Sequence, residues 1–187
     1  MRKYHLLRIF ASFWAFFIVF KGVIRLTDFT HFDQNGNAIM VDVSQKESTE
    51  REAVAIGKIR LSAACYDAVK AGRVQKGDVL GLARVAGIMA VKQTASLIPL
   101  CHTLPVEQAF VDFTLNGSKC EITAQCVVKT TGKTGVEMEA LVGTTAALLT
   151  IYDMCKALDK EMVIGDVCLV KKTGGKSDYK REVTHER

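Results

Sequence analysis

Charged residues recur at helical spacing near the end of a predicted long helix. Asp153, Lys156 and Lys160 lie three and four residues apart, and residues at these intervals share one helix face, so a carboxylate would meet ammonium groups there. The apolar run at 146–151 favours partly buried surroundings, where pKa values shift towards a range suited to acid–base catalysis. An ion pair with no catalytic role is the alternative.

Two further carboxylates, Glu137 and Glu139, open the same predicted helix. Acidic residues in a first turn oppose the helix dipole, so a purely structural role is the alternative to a functional one. Glu139 shares the helix face of Asp153, but the 14 residues between them correspond to about 21 Å along the axis. One small substrate cannot touch both on a continuous helix. If both act, the site is shared between chains or the helix breaks, as at Gly143.

A glycine-rich loop, Gly132-Lys133-Thr134-Gly135, follows a predicted strand and precedes this helix. Its backbone N–H groups and Lys133 could hold an anion at the helix N-terminus. It is not a Walker loop, because Val127 stands where that motif requires glycine. A turn with a solvated lysine remains the alternative.

His102 and Lys76 complete the set of candidate chemical groups. His102 lies in an apolar connector, 98–102, whereas the other three histidines lie towards the ends of the chain. Lys76 lies beside a predicted helix N-terminus. A core histidine and a solvated lysine are the alternatives. Together the candidates describe a pocket of lysines, carboxylates and a histidine, without metal-ligand spacing, which suits proton transfer on a small phosphorylated substrate.

The net charge of +5 does not indicate nucleic-acid binding. Five of the 25 basic residues lie within residues 1–26, which contain no acid, so 20 basic and 20 acidic residues remain for the rest of the chain. Nucleic-acid binding requires a clustered basic face. We therefore expect no nucleic-acid partner.

The six cysteines form no C-x-x-C pair and no zinc-ligand spacing. Most occupy apolar positions of predicted elements, where cysteine behaves as a small hydrophobic residue. We interpret them as reduced thiols of a cytoplasmic protein.

The sequence pattern divides the chain into a predicted extension, 1–25, a domain, 26–172, and a polar tail, 173–187. The run 9–20 is apolar except for Ser12 and follows basic residues, as in a signal peptide, but it is short for a membrane span. Sequence translated from the wrong start, an export or membrane signal and a mitochondrial presequence are the three interpretations. We expect the extension to lie outside the fold and membrane attachment to be absent.

The remaining patterns predict an α+β fold. The predicted elements are a strand at 49–61 with a bulge at Gly57, helices at 63–71 and 79–97 capped by Ser62 and Asp78, hairpin strands at 109–115 and 120–128 joined through Asn116-Gly117, a helix at 136–160 and a strand at 163–171. This βαββαβ order is that of a ferredoxin-like antiparallel sheet with helices on one face. We expect a partner subunit to cover the other face.

Six stretches resemble the cyclic pyranopterin monophosphate synthase family (molybdenum cofactor biosynthesis protein C family). They are 40–44 (MVDVS), 76–79 (KGDV), 83–88 (ARVAGI), 97–102 (LIPLCH), 131–141 (TGKTGVEMEAL) and 151–157 (IYDMCKA). The resemblance covers about 26–176. Thr103 stands where the family commonly has proline, and Asp178 where it often has glycine.

The resemblance implies that a cyclised dihydroguanosine triphosphate is rearranged to a pyranopterin with release of pyrophosphate, without metal or organic cofactor. It implies catalytic roles for Asp153, Lys156 and Lys76. The residues that match substrate-contacting or pocket-lining positions are Leu100, Cys101, His102, Met138, Glu139, Glu137, Arg51 and Lys92. It further implies a hexamer, a trimer of dimers, with sites between subunits. A non-catalytic nucleotide-binding module and a membrane-tethered synthase are the rival interpretations.

Overall fold

The computed structural model describes residue 31, residue 33 and residues 35–182, so the predicted extension at 1–25 lies outside the described residues. The chain divides into two compact units, 1–41 and 42–187. In the first unit, the Asp33 carboxylate accepts hydrogen bonds from the backbone N–H groups of Asn35 and Asn37, both at 2.8 Å. In the second unit, a sheet and its helices carry the candidate site.

The elements of the second unit confirm the predicted order. They are β1 (Thr49–Arg60), α1 (Ala63–Lys70), α2 (Val79–Lys92), α3 (Thr94–Leu97), β2 (Gln108–Asn116), β3 (Glu121–Gly132), α4 (Glu137–Cys155), β4 (Val163–Thr173) and β5 (Tyr179–Lys180). The strands pair antiparallel in the order β2-β3-β1-β4-β5. The first four form the ferredoxin-like sheet.

Small side chains on β1 let the helices pack closely on one sheet face. Ala53, Ala55 and Ile59 are fully buried, in strict alternation with half-buried positions. The bulge predicted at Gly57 is not on β1, whose alternation is unbroken. The register between β1 and β4 does shift between Ile56 and Lys58, but the extra residue belongs to β4, opposite Gly57. Gly57 is required instead by packing: a Cβ there would lie 2.8 Å from Leu148 Cδ1 of α4.

A second glycine contact brings α2 against α4. A Cβ on Gly87 would lie 2.9 Å from the Gly143 carbonyl oxygen, and a Cβ on Gly143 would lie 2.7 Å from Val91 Cγ2. Gly143 therefore serves close helix packing. It does not interrupt α4, which runs unbroken past it.

The predicted helix starts are confirmed. The segment predicted as one helix to 97 is interrupted at Gln93 and continues as α3 to Leu97, and the predicted end of α4 at 160 is wrong. Ser62 and Asp78 cap α1 and α2 with their side chains. The helix predicted to reach 97 ends at Lys92, where Thr94 Oγ1 turns back to bond the Ala90 carbonyl at 3.2 Å. The helix predicted to reach 160 ends at Cys155, because the next residues fold back onto its last turns.

The hairpin and the tail also differ in detail from the sequence-based expectations. The turn is a four-residue loop at 117–120 in which Cys120, not Asn116 or Gly117, has positive φ. The tail, expected to be mobile, adds β5 to the edge of β4. Asp178 closes the preceding turn by accepting a hydrogen bond from the Gly174 N–H at 3.2 Å.

The six cysteines are free thiols. Cys65, Cys126 and Cys155 are buried, and burial raises the pKa of Cys126 and of Cys155 to about 12. These thiols are therefore core residues that remain protonated at neutral pH. No helix in the described part of the chain combines the length and apolar character needed to cross a membrane.

Candidate active site

The predicted acid–base group assembles at the C-terminal end of α4. Lys76 Nζ donates hydrogen bonds to the Asp153 carbonyl oxygen at 2.7 Å and to Asp153 Oδ2 at 3.1 Å. Lys156 Nζ lies 2.7 Å from Oδ1 of the same carboxylate. Each carboxylate oxygen therefore faces its own ammonium group. We call Lys76, Asp153 and Lys156 the lysine–aspartate cluster.

Pairing within this cluster holds its acid and base in their charged forms. The hydrogen bond from Lys156, followed by that from Lys76, lowers the pKa of Asp153. The same contact with Asp153 raises the pKa of Lys156. The expectation of partly buried surroundings is wrong, since the Asp153 side chain is 59% exposed and pairing, not burial, dominates its pKa. The two ammonium groups and the one carboxylate of the cluster carry a net positive charge, which suits a phosphate-bearing substrate.

Two local structures bring the cluster together. Lys156 is the C-cap of α4 and retains helical dihedral angles, φ −58° and ψ −17°. Lys76 precedes Gly77, whose φ of +101° allows the turn in which its N–H donates to the Val74 carbonyl at 2.9 Å. Lys160, expected one turn beyond Lys156 on the same helix, follows the end of α4 and does not extend that face.

A second group of candidate residues surrounds the N-terminal end of α4. Glu137 Oε1 lies 3.3 Å from Lys172 Nζ. Glu139 is only 4% exposed, and burial, followed by the charge of Glu137, raises its pKa. Burial and the negative charge of Glu139 also raise the pKa of Cys101. Cys101 therefore lies within electrostatic range of the start of α4.

The glycine-rich loop is already engaged by the chain itself. Gly132 ends β3, so the loop is shorter than predicted. Lys133 Nζ donates to the Ser44 carbonyl oxygen at 2.6 Å, and the Glu137 carboxylate occupies the space that a side chain at Gly135 would need. Lys133 is thus partly exposed and bonded to the backbone of the chain itself. In this conformation the Glu137 carboxylate lies over the helix start where an anion was considered.

The remaining predicted residues are placed as follows. Leu100, Cys101, His102 and Met138 are half-buried, Lys92 is exposed at the last position of α2, and Arg51 is half-buried on β1. Arg51 Nε donates to the Gly132 carbonyl at 3.1 Å, which ties β1 to the end of β3 near the start of α4. Most of the predicted substrate contacts therefore belong to this end, not to the lysine–aspartate cluster.

The two groups are separated by the full length of α4. This helix is continuous from Glu137 to Cys155, so the 14 residues between Glu139 and Asp153 span about 21 Å. The alternative of a break near Gly143 is wrong. Within one chain, the structure brings Lys76, Asp153 and Lys156 together and keeps Glu137 and Glu139 apart from them.

Lys172 is a further candidate site residue, which the sequence did not predict. It lies on β4 opposite Ala53 of β1, on the face that carries the helices, and this register aims it at Glu137. No spacing in a single sequence reveals the contact, because β1 and β4 are far apart in the chain and β4 contains register shifts.

An open groove of about 440 Å³ lies where β1, β3 and β4 run side by side, and Arg51 contributes to its lining. At its centre, Glu52 pairs with Lys171 at 2.8 Å and with Lys129 at 3.3 Å. These contacts, led by the hydrogen bond from Lys171, lower the pKa of Glu52. The lysine–aspartate cluster lies outside this groove. Its three side chains are 43–59% exposed, so within one chain it is a surface site.

The sequence is similar to a known protein family and to several of its members. Residues 40–175 match the profile of the MoaC family. A Clostridium perfringens (strain 13 / Type A) protein named cyclic pyranopterin monophosphate synthase is 57% identical over 148 residues, 79% of this chain and 94% of the relative. A protein of the same name from Thermoanaerobacter sp. (strain X514) is 52% identical over 155 residues, 82% of this chain and 98% of the relative.

Proposed function

Because this chain belongs to the MoaC family, we propose that it is a cyclic pyranopterin monophosphate synthase. It acts in the cytoplasm, in molybdenum cofactor biosynthesis, and converts (8S)-3′,8-cyclo-7,8-dihydroguanosine 5′-triphosphate to cyclic pyranopterin monophosphate and pyrophosphate. The observation that carries the proposal is the joint contact of Lys76 and Lys156 with Asp153. The names of the relatives support it.

The cluster provides groups for the phosphate chemistry. To close a cyclic phosphate, a substrate hydroxyl attacks the α-phosphorus while the bond to the β-phosphate breaks and pyrophosphate leaves. The attacking hydroxyl loses a proton, which ionised Asp153 can accept. The leaving pyrophosphate carries negative charge, which the ammonium groups of Lys76 and Lys156 can stabilise.

Substrate binding also increases the basicity of the Asp153 carboxylate. In the free protein both lysines bond to Asp153 and lower its pKa, which makes it a weak base. A triphosphate beside the cluster competes for the same ammonium groups. As a lysine moves from Asp153 to a phosphate, the pKa of Asp153 rises towards its ordinary value and its basicity increases.

The second part of the site comes from another chain. The separation of Glu139 from Asp153 along α4 prevents one chain from surrounding a small substrate with both. We therefore assign substrate contacts by Arg51, Lys92, Leu100, Cys101, His102, Glu137, Met138 and Glu139 to a neighbouring subunit of a homohexamer, a trimer of dimers. Exposed apolar residues such as Val85 on α2 and Phe110 on β2, 58% and 49% exposed, agree with burial between subunits.

Product analysis tests the activity. Purified full-length protein incubated with the cyclised nucleotide should yield a cyclic phosphate pterin and an equal amount of pyrophosphate. Substrate that binds but remains unchanged would contradict the proposal and favour a non-catalytic nucleotide-binding module.

Subunit mixing tests the shared site. Glu139→Gln and Asp153→Asn proteins should each be inactive. After equal mixing with exchange, roughly a quarter of sites regain both wild-type halves if each site draws on two chains. No recovery, with exchange confirmed by mass spectrometry of tagged subunits, would place the site within one chain.

A further inference from the structure

The loop that follows α4 is held by a carboxylate outside the lysine–aspartate cluster. Asp159 Oδ2 accepts a hydrogen bond from the Ser62 N–H at 2.7 Å, and its Oδ1 accepts one from the Glu161 N–H at 2.9 Å. These bonds lower the pKa of Asp159, that from Ser62 most. The backbone N–H of Asp159 itself donates to the Cys155 carbonyl at 3.1 Å. Asp159 thus closes the end of α4 and reaches a second element.

That second element carries the other lysine. Ser62 is the N-cap of α1, and its Oγ also accepts from the Cys65 N–H at 3.4 Å. A carboxylate at this position is stabilised by the positive end of the helix dipole. Lys76 follows the last residue of α1, Lys70, by six residues. Asp159 therefore joins the segment that presents Lys156 to the segment that presents Lys76.

The two segments are also packed against each other. The thiols of Cys65 on α1 and Cys155 on α4 are both buried, and they lie close enough for each to influence the pKa of the other. This apolar contact presses α1 onto α4 but has little directional character. The Asp159–Ser62 hydrogen bond, short and charge-assisted, sets the orientation of α1 relative to the end of α4.

We infer that Asp159 is a positioning residue of the active site, which keeps the ammonium groups of Lys76 and Lys156 on the two oxygens of Asp153. This inference rests on the proposed function for its catalytic consequence. Asp159 acts through the backbone and through the cluster, and it is not assigned a contact with substrate. Misplacement of reacting groups by about 1 Å can cost on the order of 100-fold in rate, so loss of this tie should lower turnover.

The test uses full-length variants that remove the bond from either side. Asp159→Asn removes the charge and keeps the shape. Ser62→Pro removes the N–H, and the φ of −64° at Ser62 suits proline. Ser62→Ala is its matched control, because it removes the Oγ cap but keeps the N–H. Asp166→Asn, an exposed acid paired with Lys58 at 3.5 Å, is the charge control.

We expect Asp159→Asn and Ser62→Pro each to lower kcat about tenfold to 100-fold with KM changed less than about threefold. The double variant should resemble either single one, since both remove the same bond. The two controls should stay near wild type. Independent, multiplying effects of the two variants, or wild-type kcat in folded Asp159→Asn, would overturn the inference.

The pH–rate profile separates positioning from general stability. Lys156 faces Asp153 and Tyr152, and Asp153 also faces Lys76. If the contacts loosen, the raised pKa of Lys156 falls and the lowered pKa of Asp153 rises. The acidic limb of the pH–rate profile should then move to higher pH and the basic limb to lower pH, so the active pH range becomes narrower. An unchanged profile with lowered melting temperature would show that Asp159 is merely structural.

Hydrogen exchange distinguishes failure of this inference from failure of the proposed function. In Asp159→Asn, peptides covering 61–65 and 156–161 should lose protection, whatever reaction the protein catalyses. Lost protection, together with no turnover of the cyclised nucleotide by the wild-type protein, would refute the proposed function alone. Retained protection would refute the role of Asp159 alone.

Discussion

Replacing Asp153 with asparagine is the most direct test of the catalytic assignment. The substitution preserves the size of the side chain and one carbonyl oxygen. It removes the charge that bonds both Lys76, at 3.1 Å, and Lys156, at 2.7 Å. An amide cannot accept a proton near neutral pH. If Asp153 transfers a proton during the reaction, the variant lacks that step although its site keeps nearly the same shape.

The expected losses differ sharply between a catalytic and a structural role. A positioned general acid or base contributes about 10²- to 10⁴-fold to the rate, so kcat should fall by that factor. The side chain is 59% exposed, and exposed ion pairs contribute little to stability, so the protein should remain folded. Substrate affinity should stay within about tenfold, because both lysines remain available to the triphosphate.

Single-turnover formation of the pterin product measures the chemical step, and calorimetry measures binding separately. Asp166→Asn serves as a control for loss of one exposed carboxylate. In wild type, Asp153 raises the pKa of Lys156, so that pKa should fall in the variant. Retention of more than about a tenth of wild-type kcat would refute the reasoning, since general acid–base contributions exceed that factor.

Three further predictions follow from the geometry. Lys156→Ala and Lys76→Ala should each suppress kcat, whereas a lysine that only binds phosphate would raise KM and spare kcat in steady-state assays. Glu139→Gln should stabilise the protein at neutral pH. Burial raises the pKa of Glu139, so the stability contribution of its protonated carboxyl group is present below the unfolded pKa and is lost as the pH rises through the folded pKa. The stability difference between the variant and the wild type should therefore vanish in acid denaturation curves. Gly143→Ala should lower the free energy of unfolding by about 1–3 kcal/mol, since its Cβ meets two side chains within 2.8 Å. Gly165→Ala, which meets nothing within 4 Å, should not.

Several features of the fold could be predicted because they depend on neighbours in the sequence. Ser62 and Asp78 begin helices, since their side chains accept hydrogen bonds from N–H groups three residues ahead. The alternation at β2 and β3 predicts the hairpin in its observed register. The order of these elements was enough for the ferredoxin-like sheet, because few connections satisfy it.

The errors lie where distant parts of the chain compete with local preference. Gly57 looks like a bulge in sequence, yet Leu148 and Val167 approach it and exclude a side chain. The pattern of α4 extends beyond Cys155, but Asp159 turns the chain back towards Ser62. In each case a contact spanning many residues determined the conformation.

The candidate site shows the same division. The residue types around Asp153 and Glu139, their spacing and the length of helix between them follow from the sequence, because helical rise is nearly constant. The sequence does not determine whether Asp153 is buried, or which lysine besides Lys156 reaches it. Lys76 is 77 residues away, and Lys172 meets Glu137 through the register of β4 on β1. Such partners are determined by packing of the whole sheet and its helices, because the energy of a charge depends on the three-dimensional surroundings that desolvate or pair it.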